Sequence, residues 1–244
     1  MNFATDTILI TGGSAGIGRA FAEAVHARGA RVIITGRNET ALKAVAAANP
    51  GMAWYVLDIQ DAAAITAFAG RVVADHPALN AVINNAGIMI AEDVIDLTVA
   101  EDTIATNLLG PIRLTAALLP HLRTQPSATV VTVSSGLAFV PLAATPVYSA
   151  TKAAIHSWSQ SLRSQLAETS IKVVDWAPPA VATDLMPGHA QNPNSMPLAD
   201  FIAESLTLFE SGQDDVQVQR VQFLSGAERR GDYATVFAAL NGAH

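Results

Sequence analysis

Short apolar runs alternate with amphipathic segments along most of this chain. Five segments have the apolar spacing of helices, at 18–28, 39–48, 61–75, 100–123 and 147–168. Runs rich in β-branched residues lie before, between and after them, at 7–10, 31–34, 53–57, 81–83, 130–133 and 171–174. Continuous runs of this kind are typical of strands that are buried on both faces. Repeated strand–helix–strand order therefore predicts an α/β fold, a doubly wound parallel β-sheet with helices on both faces.

The composition fits one large domain. The chain has 244 residues, of which 50% are hydrophobic and 14% charged, and this balance supports a large buried core. Its mean hydropathy is +0.32. No linker, internal repeat or low-complexity tract interrupts the alternation. Residues 1–244 are therefore expected to form a single domain of the Rossmann type.

Charge and cysteine content argue against several classes of function. The net charge is −7 and no cluster of Lys and Arg occurs, so we expect no nucleic-acid partner. There is no cysteine, and the six histidines are scattered, so neither a disulfide nor a metal site is expected. No apolar stretch approaches the ~20 residues that cross a bilayer, and residues 1–13 lack a basic region followed by a long apolar stretch, so no leader is expected. We expect a cytoplasmic protein with no membrane partner.

A glycine-rich segment, GGSAGIG at residues 12–18, follows the first predicted strand and opens a helix. Glycine allows a tight turn, and without a side chain it lets a helix N-terminus approach a pyrophosphate closely. Such a segment by itself is often only a turn. After the first strand of a β/α pattern, it predicts a nucleotide-binding turn with the spacing G-x3-G-x-G.

The residues after the second strand bear on the choice of nucleotide. An acidic residue there would bind the ribose 2′-hydroxyl of NAD, whereas an arginine accommodates the 2′-phosphate of NADP. This chain has Arg37 in the segment Thr35-Gly36-Arg37-Asn38 and no acid. We therefore expect NADP(H) to be preferred, with NAD(H) possible as a cofactor. The alternative is that Arg37 is a solvated loop residue.

Tyr148 and Lys152 are four positions apart in a predicted helix, so their side chains share one face. A free tyrosine has a pKa near ~10, and a nearby cation is expected to lower it. The Ser135 hydroxyl, thirteen positions before Tyr148, could hold a substrate carbonyl against the phenol. The three residues predict a proton-transfer site at a carbonyl or alcohol carbon. Without further support, Tyr148 and Lys152 could equally be surface residues.

Several motifs occur together and in order along the chain. They are Thr11-Gly12-x-x-x-Gly16-x-Gly18, Asn84-Asn85-Ala86-Gly87, Asn107, Ser135 and Tyr148-x-x-x-Lys152. Together they resemble the short-chain dehydrogenases/reductases of the smaller, single-domain classical type, from residue 5 to about residue 184. Residues 134–163 are also similar to a DltE-like bacterial subgroup of oxidoreductases.

This resemblance implies a role for each matched residue. Tyr148 would be the general acid or base, and Lys152 would lower its pKa and bind the nicotinamide ribose. Ser135 would orient the substrate oxygen, with Ser134 as its rival, and Asn107 would support a water that relays protons to Lys152. The implied cofactor-binding residues are Gly12, Ser14, Ala15, Gly16, Ile17, Gly18, Arg37, Asp58, Ile59, Asn85, Ala86, Gly87, Tyr148, Lys152, Val181 and Thr183.

One segment departs from the family pattern. Residues 178–183 resemble the family's nicotinamide-pocket segment, in which Val181 and Thr183 would meet the carboxamide. Pro179 occupies a place that is normally held by glycine. Proline lacks a backbone donor and has a fixed φ, so nearby cofactor contacts are expected to differ in detail.

The substrate side of the site is expected in two less regular regions. Residues 184–210 form a predicted substrate-loop region, in which 184–197 is either a mobile lid or an ordinary surface loop. Residues 214–244 form a C-terminal extension with a short helical tail. The predicted pocket wall is mostly apolar and comprises Leu137, Phe139, Val140, Thr145, Val147 and residues 184–197.

The resemblance implies an NADP(H)-dependent oxidoreductase that acts on a small or medium carbonyl or secondary alcohol. The alternative is a non-catalytic dinucleotide-binding regulator, although such proteins tend to lack the tyrosine or the lysine. An isomerase or epimerase is disfavoured, because those relatives are usually longer. The family also implies a homodimer or homotetramer. Apolar residues of the two long helices, Leu114, Leu118, Ile155, Trp158 and Leu162, either pair between subunits or pack on the sheet.

Overall fold

A computed structural model describes residues 1–242, so residues 243–244, including His244, lie outside the described part of the predicted extension. Within residues 1–242, seven parallel strands form one sheet in the order β3-β2-β1-β4-β5-β6-β7. The strands are β1 (Thr7–Thr11), β2 (Arg31–Gly36), β3 (Ala53–Val56), β4 (Leu79–Asn84), β5 (Ala128–Val133), β6 (Ile171–Trp176) and β7 (Asp215–Val216).

The sheet confirms the predicted doubly wound architecture. All six predicted strands are present, and the short strand β7 adds a parallel edge beside β6. The chain runs outward from β1 through β2 to β3 and then returns to place β4 on the other side of β1. The strand order therefore reverses between β1 and β4. In sheets of this kind, ligands bind at the carboxyl ends of the strands beside such a reversal.

Helices cover both faces of the sheet. They are α1 (Gly16–His26), α2 (Glu39–Ala48), α3 (Ala62–Asp75), α4 (Leu97–Ile104), α5 (Gly110–Leu122), α6 (Pro146–Gln165), α7 (Leu198–Glu210), α8 (Gln222–Ser225), α9 (Ala227–Arg230) and α10 (Tyr233–Asn241). Asn38 and Asp61 cap α2 and α3 with their side-chain oxygens, which accept hydrogen bonds from free backbone N–H groups of the first turn.

The prediction of one continuous helix over 100–123 is wrong. The helical region begins earlier, at Leu97, and a wider π-helical turn at Ala105–Leu109 separates α4 from α5. Proline lacks a backbone N–H, so Pro111 cannot give Asn107 its usual α-helical hydrogen bond. Apolar spacing continues across this turn, which explains why the pattern did not reveal it. Turns of this type often occur at functional sites.

Two apolar cores pack against the two faces of the sheet. One is rich in aromatic residues, where Trp176 stacks on Phe201 with ring centroids 5.4 Å apart. The other contains Leu114, Leu118 and Leu162, which are buried within the chain. These leucines were expected either to pair between subunits or to pack on the sheet. Their burial shows that they pack on the sheet, because side chains buried inside the chain cannot pair between subunits. Ile155 is buried as well, and Trp158 packs partly against the second core.

The C-terminal helices pack beside the segment that follows Ser135. A side chain at Gly136 would lie 2.9 Å from atoms of Val221 and Leu224. The Asn241 amide also donates to the Pro141 carbonyl, at 3.1 Å. The predicted extension therefore supports one wall of the site. In the described part of the chain, no helix is both long and apolar enough to cross a membrane.

Candidate active site

Tyr148 and Lys152 lie on the same face of α6 and are both buried, with 7% and 4% of their surfaces exposed. The helix begins at Pro146, whose fixed φ suits a first helical turn. The Lys152 Nζ lies 5.5 Å from the centroid of the Tyr148 ring. The structure thus places the phenol and the amine in one pocket, as their spacing predicted.

The Lys152 amine is held against the sheet. Its Nζ donates a 2.7 Å hydrogen bond to the main-chain carbonyl of Val133, the last residue of β5. Burial lowers the pKa of Lys152 to about 8, while the charge of Asp175 acts in the opposite direction. Near neutral pH the amine is therefore mostly a cation, at a point where the fold provides little solvent to stabilise it.

The pKa of the Tyr148 phenol is shifted in the direction opposite to the one expected from the nearby Lys152 cation. Burial raises its pKa to about 12, although the nearby Ser135 hydroxyl acts to lower it. The expectation of a pKa below the ordinary value is therefore wrong for the chain alone, because the loss of solvent outweighs the other effects. At neutral pH Tyr148 is an uncharged proton donor.

Ser135 follows β5 directly and has an extended backbone, with φ −171°. Its Oγ accepts from the Leu137 N–H at 3.1 Å, and the hydroxyl lies close enough to Tyr148 to act on the pKa of the phenol. The rival, Ser134, has a buried hydroxyl without a hydrogen-bond partner among residues 1–242. The structure therefore brings Ser135, and not Ser134, to the phenol.

Asn107 lies in the π-helical turn between α4 and α5. Its Oδ1 accepts from the Ile88 N–H at 2.9 Å, and its Nδ2 donates to the Ile88 carbonyl at 2.9 Å. The same Nδ2 donates to the Thr151 hydroxyl at 3.3 Å. A side chain at Gly87 would lie 3.3 Å from the Asn107 Oδ1 and 3.7 Å from the Lys152 Nζ. Asn107 and Gly87 thus border the same pocket as Lys152.

The glycine-rich turn is tied to the segment after β4. The Thr11 hydroxyl accepts from the N–H groups of Asn85 and Ala86, both at 3.0 Å, and the Asn85 amide donates to the Thr11 carbonyl at 2.8 Å. Gly12 has φ +67° and Gly16 φ +54°, a region that favours glycine. The two turns that border the strand-order reversal are therefore held together.

The N-terminus of α1 can receive an anion. Ala15 is its N-cap residue, and within the described chain no side chain caps the free N–H groups of the first turn. That turn also contains no acidic residue. The Thr183 side chain would lie 3.7 Å from a Cβ placed at Gly16, so the segment after β6 reaches this turn. These residues fit the pyrophosphate of a dinucleotide.

The remaining predicted cofactor residues differ in what their side chains can reach. Arg37 is exposed after β2, and Asp58 accepts from the Gln60 N–H at 3.0 Å. Ile59 and Val181 are 7% and 3% exposed and pack in the apolar cores. The side chains of Ile59 and Val181 therefore offer little surface to a bound cofactor.

The predicted pocket wall is wrong at two positions. Val140 and Thr145 are fully buried within the chain, so they do not line an open cavity. Leu137, Phe139 and Val147 remain partly exposed. In the predicted lid, Met196 forms a short parallel bridge with Val181. That bridge ties the end of the loop to the segment after β6.

Two polar features of the site were missed from the sequence. One is the pairing of His156 with the buried Asp175 beneath the pocket. Signals for it were an aspartate inside an apolar strand and a histidine four residues after Lys152. The other is Asn241, which also accepts from the Ala143 N–H at 2.6 Å. Nothing in the local pattern points to that contact, because the two residues are far apart in sequence.

Comparison with known proteins decides the family. The model of the family described as short chain dehydrogenase matches residues 6–194. The chain belongs to the short-chain dehydrogenase/reductase family. The "Uncharacterized oxidoreductase DltE" of Bacillus subtilis (strain 168) is 37% identical in an alignment that covers 99% of this chain and 98% of that protein. The chain is thus an NAD(P)-dependent short-chain dehydrogenase/reductase of the DltE-like subgroup, as the motifs predicted.

Solved structures agree with this dehydrogenase along nearly its whole length. A short-chain dehydrogenase from Streptomyces avermitilis has a TM-score of 0.84 at 28% identity and covers 97% of this chain and 96% of its own. One from Sphingobium yanoikuyae, in complex with NADPH, has a TM-score of 0.81 at 26% identity, covering 92% and 94%. The cleft between the glycine-rich turn and Tyr148 therefore suits a nicotinamide dinucleotide.

We predict that Gly18→Ala distorts the cofactor turn of this dehydrogenase. A Cβ at Gly18 would lie 2.3 Å from the Asn85 Nδ2 and 2.4 Å from the Gly12 carbonyl oxygen. Overpacking of this kind lowers the free energy of unfolding by about 1–3 kcal/mol. Urea unfolding measures that loss, and fluorescence titration is expected to show weaker NADPH binding.

Gly70→Ala is the matched control for this variant. Gly70 lies in α3, and nothing lies within 4 Å of a Cβ placed there. Alanine is favoured over glycine inside a helix, so stability should rise by about 0.5–1 kcal/mol without a change in NADPH affinity. Equal behaviour of the two variants would contradict the close approach at Gly18.

Proposed function

We propose that this enzyme transfers hydride between NADP(H) and a small or medium carbonyl or secondary alcohol, with Tyr148 as general acid or base. One observation carries the proposal. The buried Tyr148 phenol, the Ser135 hydroxyl and the Lys152 amine share a pocket at the carboxyl end of β5. That combination can hold a carbonyl oxygen and exchange a proton with it.

In the direction of reduction, the hydroxyls of Ser135 and Tyr148 donate hydrogen bonds to the carbonyl oxygen. The hydride would come from a nicotinamide cofactor held between the glycine-rich turn and Tyr148. Tyr148 then donates its proton to the developing alkoxide. The raised pKa of the buried phenol supports this role, because it keeps Tyr148 protonated until the alkoxide develops. The Lys152 cation stabilises the phenolate that remains.

Asn107 supports proton return to the site through its main chain. Both ends of its side-chain amide are occupied by Ile88, and its Nδ2 also binds Thr151. Pro111 cannot donate to the Asn107 carbonyl, so that oxygen lacks its ordinary α-helical donor. A carbonyl of this kind can accept from a water. We therefore assign the predicted water support to this oxygen, on the path to Lys152.

We predict that Tyr148→Phe lowers kcat by about 10²–10⁴-fold while leaving the Kd for NADPH nearly unchanged. The phenyl ring keeps the packing and removes only the proton donor. NADPH oxidation is first screened against ketones, aldehydes, sugar-derived carbonyls and cyclic imines, and kcat is measured on the best substrate. Uniform inactivity of the wild-type enzyme would favour the non-catalytic regulator.

Tyr55→Phe controls for the loss of a tyrosine hydroxyl elsewhere. Tyr55 lies on the edge strand β3, where its hydroxyl donates to Asp75 at 2.8 Å. This change should leave kcat within about twofold of the wild-type value, since surface substitutions away from a site are usually mild. Turnover of Tyr148→Phe at the level of this control would show that Tyr148 is not the acid.

The proposed preference for NADP(H) rests on Arg37. Arg37 is exposed and directly follows β2, so it lies at the same carboxyl end of the sheet as the glycine-rich turn after β1. A Cβ at the preceding residue, Gly36, would lie 3.4 Å from the Ser14 Oγ. The arginine is therefore near the cofactor turn, where a guanidinium can pair with a 2′-phosphate. The NADPH complex of the Sphingobium relative supports the same choice.

We predict that Arg37→Gln lowers kcat/KM with NADPH by about ten- to a hundredfold and leaves kcat/KM with NADH nearly unchanged. A charge-assisted hydrogen bond contributes about 1.5–3 kcal/mol, which corresponds to that factor. Arg19→Gln is the control, because Arg19 is exposed and pairs with Glu23 on α1. A wild-type enzyme that prefers NADH would refute the assignment.

We also propose a homodimer or homotetramer. Exposed apolar side chains lie on and before α4 and at the turn that follows it: Val94, Ile95, Leu97, Ile104 and Leu109. A monomer gains from covering a patch of this kind. Light scattering at micromolar concentration is expected to give at least twice the 25.4 kDa mass of the chain. A mass equal to that of one chain would refute the assembly.

A further inference from the structure

A carboxylate lies beneath the active-site pocket. Asp175 is in β6 between Val174 and Trp176, and none of its surface is exposed. Burial of a carboxylate in an apolar strand is unfavourable unless the charge is paired or serves another charged group. The residues that face Asp175 therefore indicate which group its charge acts on.

Only one of the two carboxylate oxygens has a hydrogen-bond partner. The Oδ2 lies 2.5 Å from the Nδ1 of His156. The Oδ1 is buried and has no hydrogen-bond partner in the described part of the chain. Hydrogen bonding to Asp175 raises the pKa of His156 above its ordinary value, although partial burial of the ring acts the other way. The Oδ1 atom of Asp175 is thus available to interact with another group.

The register of the sheet places Asp175 next to the residue that holds Lys152. Trp176 pairs with Val133 across β6 and β5, and Asp175 pairs with the preceding Thr132. The Val133 carbonyl is the acceptor for the Lys152 Nζ. His156 is four residues after Lys152, so the two side chains leave the same face of α6. The two elements that meet here therefore bring Asp175, His156 and Lys152 together.

Few other titratable or charged groups face this cluster. On the Lys152 side they are Tyr148 from α6 and Asp175 from β6, while β5 contributes a neutral carbonyl and Asn107 and Gly87 complete the border. On the His156 side they are Asp175, Asp215 and Arg163. Arg163 and Asp215 pair with each other at 2.8 Å, near the surface. Asp175 is thus the negative group that acts on Lys152.

We propose that Asp175 is a positioning residue that acts through Lys152: its buried carboxylate, held in place by His156, keeps the Lys152 ammonium charged. The inference rests on the role proposed above for Lys152. Burial alone favours the neutral amine, which would not stabilise a phenolate at Tyr148. A carboxylate behind the amine opposes that effect without entering the pocket. His156 fixes the direction of the carboxylate from the more exposed side.

The titration of Lys152 tests this directly in the protein without cofactor or substrate. The chain contains three lysines, Lys43, Lys152 and Lys172, so labelling with [ε-¹³C]lysine yields three resonances. Lys43→Arg and Lys172→Arg assign the two surface signals. In Asp175→Asn, the Lys152 midpoint is expected to fall by about one pH unit or more, a tenfold change in the ratio of charged to neutral amine.

Asp215→Asn is the matched control. Asp215 pairs in register with Asp175 but is partly exposed and bound to Arg163. Its loss should leave the Lys152 midpoint within about 0.2 units, because solvent screens an exposed charge. A folded Asp175→Asn protein whose Lys152 midpoint equals that of this control would overturn the proposal. A purely structural clamp between β6 and α6 predicts that equality.

His156→Gln provides the second variant. It removes the group that shares the charge of Asp175, so more of that negative charge acts on Lys152 and the Lys152 midpoint is expected to rise. A fall, or no change, in that variant would contradict the proposal even where Asp175→Asn does not fold. Turnover by the wild-type enzyme is not needed for either titration. Failure of this inference is therefore distinct from failure of the proposed oxidoreductase activity.

Discussion

The hydrogen bond from the Lys152 amine to the Val133 carbonyl is the interaction on which the site depends. It joins the middle of α6 to the end of β5 in a region closed to solvent. The same helix carries Tyr148 one turn earlier, and the same strand leads directly to Ser135. The bond therefore lies where the two elements that carry all three polar groups meet. It also exposes the amine to the charge of Asp175 from the neighbouring strand.

A second constraint acts at the strand-order reversal between β1 and β4. Thr11 and Asn85 tie the two turns together, so the glycine-rich turn and the wall beside it hold one geometry. Close packing at Gly18 leaves no space for a side chain in that geometry. The N-terminus of α1, which no side chain of the described residues caps, thus lies at the same edge of the sheet as Tyr148 and Lys152. The proposed cofactor turn and the proposed proton-transfer residues therefore lie in separate parts of one sheet edge.

Most of the fold and the main residues of the site could be predicted because their signals are local. Strands β1 to β6 are visible as β-branched runs, and the glycine spacing marks the turn before α1. The π-helical turn at Ala105–Leu109 was not visible, since apolar spacing continues through it and Pro111 breaks only one hydrogen bond. The pairing of Asp175 with His156 depends on how β6 meets α6, which no local pattern records.

Periodicity and residue spacing act over a few residues, so the order of strands and helices along the chain, the family and the polar groups could be predicted from the amino-acid sequence. How those groups titrate depends on the folded protein. Spacing placed a cation near Tyr148 and suggested a lowered pKa, whereas burial of the phenol raises it to about 12. Burial also lowers the pKa of Lys152 to about 8. Desolvation is the summed effect of every element packed around a group, so it exists only once the chain has folded.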